Sequence, residues 1–460
     1  MIIQSLINRV PTSNKDFSGT KKNPFTSEIL HTFFHANLLE AVTAIQQSQK
    51  FFSEFKFSSV EDRLGLLKKI KAYLELNQLK FARLEANDQG LPLEFVQKYS
   101  LAASIKAIDS VIEELNLPSP QSSAVGVVSI ICSWNLSLRL VTERFIPAIA
   151  AGNTVVIKLS SASPVTALIL QEIIEACDLP AGLIQIILSN EVEVKKILVT
   201  HPGIKAISFV GQLVHATDVI KWATSVSHQQ FKKIQISSGS KNTAAALDLP
   251  TDGVFHDVMD SFLLGQGQLG WNSSRLFVLE KNEKIWLERI NDYLSVLKPS
   301  ESIDDPSVWT PIIKPESFKT FSEINTLAIA DQARLLKTTH ALNESQKNKF
   351  LPVTFTQDMS NCSTLQQDQV LAPLFIFSTV KYAFDIPKYS NVSYFGLAAH
   401  LWGEEEKLKK LGDALEVGLI CRNKWSAQVF NHSKSVKQSG FGLQDYRAFG
   451  DFFSNVKNLA

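Results

Sequence analysis

Residues 125–159 read VGVVSIICSWNLSLRLVTERFIPAIAAGNTVVIKL. Two short, continuously apolar runs, VGVVSIIC and NTVVIKL, flank a stretch long enough for a helix, which Gly152 closes. Strands apolar on both faces belong to a parallel sheet covered on both sides, and a helix between two such strands is the crossover that joins them. The alternation continues with a helix opened by Ser163 and Pro164, the run LIQIIL, a helix through Ile197, the strand KAISFV, a helix around Ala223, and KKIQIS. Right-handed crossovers of this length give a doubly wound sheet. Such a sheet binds nucleotides outside the carboxyl ends of its strands, here near Ser133, Lys158 and Gly211.

On the amino-terminal side, the first hundred residues read as mostly helical. Ser58 and Glu61 have capping-box spacing, and Leu64, Leu67, Ile70 and Leu74 then recur at helical period. Gly90 and Pro92 mark a turn before a helix that ends near Leu117. Beyond Gly239 a second α/β region runs to about Phe430. In it, GEEEKLKK at 403–410 is a solvated helix face with Glu405 and Glu406 four residues before Lys409 and Lys410. The reading is therefore α/β throughout, divided into residues 1–238, 239–430 and a returning segment, 431–460.

The 460 residues exceed what one core usually serves. With 45% hydrophobic residues and 46 basic against 45 acidic side chains, no net field recruits nucleic acid or an acidic membrane surface. Cys132, Cys177, Cys362 and Cys421 lack CxxC spacing, which argues against a disulfide framework or a structural zinc site. With no basic leader and no apolar run of membrane-spanning length, the expectation is a cytoplasmic protein. His31 and His35 form an H-x-x-x-H pair without a third ligand, and are read as part of an N-terminal strand.

Several separated stretches, in order, resemble the aldehyde dehydrogenase superfamily: SWNLSLRL with AAGNTVVIKLSS, FVG at 209–211, ISSGSKN with GQGQLGWNSSR, and QVLAPLF with VKQSGFG. The resemblance spans roughly Asn23 to Val456. It implies two doubly wound Rossmann-like domains, one for cofactor and one catalytic, and NAD(P)-dependent aldehyde oxidation through a cysteine thiohemiacetal. That chemistry needs a thiolate, an oxyanion hole, a base for water and a nicotinamide over the reacting carbon.

The family's cysteine position in GQ-x-C is Gly270 here, and glycine has nothing to ionise. Removing a nucleophile from a cooperating set lowers turnover by about 10⁶-fold. The family's general-base glutamate corresponds to Ser237, which cannot hold a proton taken from water near neutral pH. Asn135 matches the oxyanion-hole amide, with a helix cap as its competing role. Cys132 reads as a buried apolar thiol. Ser237, Ser238 and Ser240 are nucleophile candidates only beside a base. Leu269 and Trp271 are bulky neighbours that would partly fill the room above Gly270.

The resemblance places Trp134, Lys158, Ser161, Gly211, Gln212 and Gln369 at the cofactor. Lys158 is kept, but the glutamate expected three residues later is Ser161. Its loss removes a repulsion on the order of 1–4 kcal/mol toward a second charge at about 4 Å, so NADP is tolerated as well as NAD. Gln369 replaces the glutamate of the nicotinamide ribose, and an uncharged amide holds a hydroxyl more weakly. Dinucleotide binding is thus expected to be weak or absent.

The first reading is a catalytically inactive member that binds a small molecule, a dinucleotide or an active homologue. The alternative is an active NAD(P)-dependent oxidoreductase on aldehydes with a non-standard nucleophile; a third is a ligand-free structural subunit. Only PSPQSS separates the helix near Leu117 from Ala124, and little follows VKN at 456–458, so both oligomerisation arms read as truncated. A monomer or dimer is expected; light scattering that returned a stable tetramer would contradict it.

Overall fold

The apolar runs form strands where they stand in the sequence: Val127–Ile131, Thr154–Leu159, Ile184–Leu188, Ile204–Val210 and Lys233–Ser237. The structure, a computed structural model, describes residues 1–12, 14–15, 18–117, 122–225, 231–330, 333–357, 363–425, 434–442 and 449–456. It divides into two units. One comprises Met1–Gln89, Leu93–Ser238 and Gly442–Ala460; the other comprises Gly90–Pro92 and Gly239–Phe441.

In the first unit the five strands are parallel, in the order Lys233–Ser237, Ile204–Val210, Val127–Ile131, Thr154–Leu159, Ile184–Leu188. From the central Val127–Ile131 the chain moves outward on one flank and returns to the other at Ile204. The strand order therefore reverses between Val127–Ile131 and Ile204–Val210, the crevice where doubly wound sheets hold ligands. Every residue of Val127–Ile131 and Ile184–Leu188 is buried, as a sheet covered on both faces requires. The intervening helix Ser137–Ala150 stops where Gly152 adopts φ 85°, and the Gly152 and Asn153 N–H groups close onto the carbonyls of Ile149 and Ala148.

Helices such as Leu38–Phe55, Val60–Leu76 and Gln78–Gln89 make the first hundred residues mostly helical, as expected. Before the first helix, Leu38–Phe55, stand five short strands: Ile2–Ile3, Leu6–Ile7, Val10–Pro11, Ser18–Lys22 and Ile29–Phe34. Leu6 pairs antiparallel with Ile186, which extends the parallel sheet. ILHTFF at 29–34 alternates between more and less buried positions, the strand expected around His31. The capping box also lies one residue later than its spacing suggested, at Ser59 and Asp62, ahead of Val60–Leu76.

The second unit holds a seven-stranded sheet in the order Arg334–Lys337, Thr354–Gln357, Leu374–Val380, Ser273–Leu279, Asn242–Ala246, Ala398–Trp402, Leu419–Arg422. All neighbours are parallel except the first two. On the exposed helix Glu405–Asp413, Glu406 does pair with Lys410, whereas Glu405 pairs with Arg422. Phe430, the expected boundary residue, lies outside the described residues.

One buried polar cluster in the first unit holds a turn that matters below. Glu85 and Gln89, a turn apart on Gln78–Gln89, face the start of helix Ser137–Ala150. Glu85 accepts from the Leu138 N–H at 3.1 Å and from Ser100 Oγ at 2.5 Å; Gln89 Oε1 accepts from the Leu136 N–H at 2.8 Å. Burial pushes the Glu85 carboxyl up to about 7 against these hydrogen bonds. Asp88, also buried, is pushed up to about 6, while burial pushes the Lys21 amine down. A folded value above the unfolded 4.5 means that the protonated form is the one folding favours. Its contribution is complete below about 4.5 and is lost as pH rises through about 7. Glu85→Gln, which imitates the protonated acid, is expected to remove on the order of 1–3 kcal/mol of pH-dependent loss between pH 5 and 7.5. Urea midpoints across that range will check it.

Candidate functional site

The carboxyl ends of the first unit's strands carry the residues the sequence picked out. After Val127–Ile131 the chain runs through Cys132, Ser133 and Trp134 to Asn135, whose Oδ1 accepts from Ser133 Oγ. Trp134 is buried. The N-cap of the next helix is Leu136, not Asn135, and Leu136 adopts φ 48°, a left-handed conformation costly for a branched side chain. Gln89 grips the Leu136 N–H and Glu85 the Leu138 N–H, so the strained turn presenting Asn135 is held from another helix. Nothing in the spacing of LEANDQ announced that role.

At the end of Thr154–Leu159, Lys158 is half-buried, and Ser161 is buried with its Oγ bonded to Asn190 Oδ1 and His35 Nε2. At the end of Ile204–Val210, the Gly211 N–H donates to the Ser237 carbonyl at 3.0 Å. Gln212 is exposed at the N-cap of Leu213–Thr224 and makes no side-chain capping bond. A helix start attracts anions, and this one lies at the crevice where the strand order reverses. Lysine, hydroxyls and an uncapped helix start suit a phosphate-bearing dinucleotide. Ser237 ends Lys233–Ser237 half-buried, and Cys132 is buried with its thiol pushed up to about 11, so it is protonated at neutral pH.

In the second unit the GQGQ loop is braced by its own side chains. Gly265, Gln266 and Gly267 adopt φ 74°, 56° and 67° in succession. Gln266 donates to the Val308 carbonyl at 2.7 Å, and Gln268 Oε1 accepts from the Ile313 N–H at 3.0 Å. Asn272 accepts from the Leu269 N–H and donates to the Leu264 carbonyl at 2.8 Å, which ties the loop shut. Just beyond it, buried Arg275 pairs with no carboxylate among the described residues and donates to the carbonyls of Lys241 and Ser390.

Gly270 needs none of this freedom. Its φ lies outside the left-handed region, and apart from its chain neighbours no heavy atom stands within 4 Å of where a Cβ would project. Its carbonyl accepts from Ser240 Oγ at 2.5 Å and Asn242 Nδ2 at 3.0 Å, and Gln369 Nε2 reaches Ser240 Oγ at 3.4 Å. Gln369, Ser240 and Gly270 are thus brought together in one chain of hydrogen bonds. Ser240, Leu269, Ser273 and Gln369 line a small concavity with room for about one water.

Ser273 Oγ lies 2.8 Å from His400 Nδ1, a pair with no motif to reveal it. Complete burial lowers His400 to about 3, which makes it a poor acceptor of a hydroxyl proton. Lys241 is pushed down to about 7 by burial and by Arg275, yet it is buried and absent from the cleft lining. Cys421 is buried and pushed up to about 11, and Cys362 lies outside the described residues. His31 lies in Ile29–Phe34 and His35 one residue past it.

The sequence profile of the aldehyde dehydrogenase family matches residues 12–459. The chain belongs to that family. It is 25% identical over 459 residues to 2-aminomuconic semialdehyde dehydrogenase of Danio rerio, covering 95% of this chain and 93% of that protein. The human enzyme of that name is 26% identical over 467 residues, with the same coverage. The fold of this family member superposes on aldehyde dehydrogenase from Bartonella henselae with a TM-score of 0.92 at 19% identity, over 99% of both chains. Indole-3-acetaldehyde dehydrogenase of P. syringae, solved with NAD+, gives 0.90 at 21% identity over 99% of this chain and 95% of that one. The two doubly wound sheets are therefore those of an aldehyde dehydrogenase. Among the described residues, no helix is long and apolar enough to cross a membrane.

Two substitutions separate the loop's shape from its chemistry. Gly267→Ala drives a Cβ to 2.5 Å from the Ala372 carbonyl at positive φ and is expected to cost about 2 kcal/mol or more. Gly270→Cys is expected to change stability by less than about 0.5 kcal/mol. Denaturant titration of both variants checks the contrast.

Proposed function

We propose that this chain is a family member that binds a dinucleotide without oxidising an aldehyde. The observation that carries the reading is Gly270: the backbone accepts a side chain there and has room for one, and none is present to attack a carbonyl carbon. A thiohemiacetal needs a nucleophile whose electron pair reaches the aldehyde carbon. Ser240 spends its proton on the Gly270 carbonyl, and among the described residues no carboxylate or imidazole is hydrogen-bonded to it. Ser237 leaves the hydrolytic water without a carboxylate to take its proton. What remains is an anion-accepting crevice in the first unit and a closed, braced loop in the second.

The proposed consequence is a binding role in the cytoplasm, toward a dinucleotide, a small carbonyl compound or an active homologue. The names of the relatives favour the alternative, NAD(P)-dependent oxidation of an aldehyde with a non-standard nucleophile. Steady-state assays with NAD+ or NADP+ across short and aromatic aldehydes separate the two. No aldehyde-dependent NAD(P)H above the solvent blank is expected from the native chain. A measurable rate is expected once Gly270→Cys is combined with Ser237→Glu. Clear native turnover abolished by Cys132→Ala would overturn the binding-only reading.

A further inference from the structure

A charged side chain in a protein interior needs a counter-charge and a full set of hydrogen bonds. Two cations of the second unit have neither. Lys241 stands immediately before the strand Asn242–Ala246, and Arg275 lies in the neighbouring strand Ser273–Leu279, paired with Thr243. Lys241 is 3% exposed and Arg275 1%. The terminal nitrogens of Arg275 donate to the carbonyls of Lys241 at 2.9 Å, Ser390 at 3.0 Å, Tyr389 at 3.3 Å and Gln366 at 3.4 Å. Thr243 Oγ1 accepts a further bond at 3.1 Å. Carbonyl dipoles surround the guanidinium, and they carry no net negative charge.

Several atoms around it stay without a partner. Arg275 Nε, Lys241 Nζ and both amide atoms of Gln366 are buried and make no hydrogen bond. The three residues belong to one cluster. Arg275 is bonded to the backbone of both Lys241 and Gln366, and the Lys241 ammonium feels the charges of Arg275 and of Asp368, two residues beyond Gln366. Burial, then Arg275, pushes Lys241 down to about 7, with Asp368 opposing; burial pushes Arg275 down to about 9. Asp368 is exposed, and Lys241 Nζ is bonded neither to it nor to any other group.

The orphaned atoms are three nitrogen donors and one oxygen acceptor. A water would accept from two of the donors, but it must also donate twice, with a single acceptor on hand, and it brings no charge. An anion accepts from all three donors and neutralises the cations. None of the three residues lines the concavity beside Gly270, so the anion must be small enough to sit in the interior. We propose that Lys241, Arg275 and Gln366 enclose a binding site for a small monovalent anion of the halide class, with chloride as its ligand. The site depends on neither the dinucleotide nor the aldehyde reading. Its effect reaches the loop: the anion ties Lys241 to the strand of Arg275, and the adjacent Ser240 Oγ donates to the Gly270 carbonyl.

Crystals of the full chain, grown without halide and soaked in sodium bromide, test it by diffraction at the bromine absorption edge. An anomalous peak is expected in hydrogen-bond contact with Lys241 Nζ and Gln366 Nε2. In solution, replacing gluconate by chloride at constant ionic strength is expected to raise the melting temperature and then saturate. Lys241→Met, which keeps an apolar stem and removes the charge, is expected to weaken the apparent chloride affinity by about tenfold or more. The soak uses the native chain, so it decides the matter even where that variant does not fold. Bromide at surface positions only, an adventitious ion only, overturns the proposal. So does a water in place of the halide, the same melting temperature in chloride and gluconate, or a folded Lys241→Met variant with unchanged chloride dependence.

Discussion

Asn272 closes the loop that ends in the strand Ser273–Leu279, and the backbone around Gly270 depends on that closure. Its amide spans from the Leu269 N–H to the Leu264 carbonyl, while Gln266 and Gln268 anchor the preceding left-handed turn to the segment at 308–313. Each of these groups is buried, so each bond satisfies a donor or acceptor that would otherwise be stranded away from water. The shape of the loop is therefore independent of the residue at 270. A side chain there would project into space where, its chain neighbours aside, no described residue comes within 4 Å. Conformation is conserved by hydrogen bonding, and reactivity is a separate matter of one side chain.

The first unit follows the same separation. Leu136 holds a left-handed backbone because Gln89 and Glu85 grip the N–H groups on either side of Ser137, and this presents Asn135 from a fixed turn. Strain at one residue persists when its surroundings over-determine it. The crevice between Val127–Ile131 and Ile204–Val210 keeps an uncapped helix start and a lysine, but the acidic group usual at the strand end is absent.

The parallel sheet was legible because its strands are buried on both faces and read as unbroken apolar runs, as VVSII and IQIIL do. The strand around His31 was also legible, but two-residue pairs such as Ile2–Ile3 were not, since they carry no period of their own. Positions 135, 158, 211 and 270 could be named from motifs, because each motif fixes a local backbone geometry. The bonds from Ser240 and Asn242 to the Gly270 carbonyl join residues about thirty apart, and His35 meets Ser161 across 126 positions. Such contacts follow from strand order, which spacing along the chain does not encode. In the second unit Gly270 and Ser240 lie at the amino ends of their strands, where the crevice rule for doubly wound sheets does not point.

The central proposal is that no side chain beside Gly270 forms a covalent bond to a carbonyl carbon. A crystal soaked with a short aldehyde and NADP+ addresses it at the level of a single bond. The account predicts density for an intact guest with no continuous connection to any side chain. A covalent adduct on Ser240, Cys132 or any other residue of the chain would contradict it.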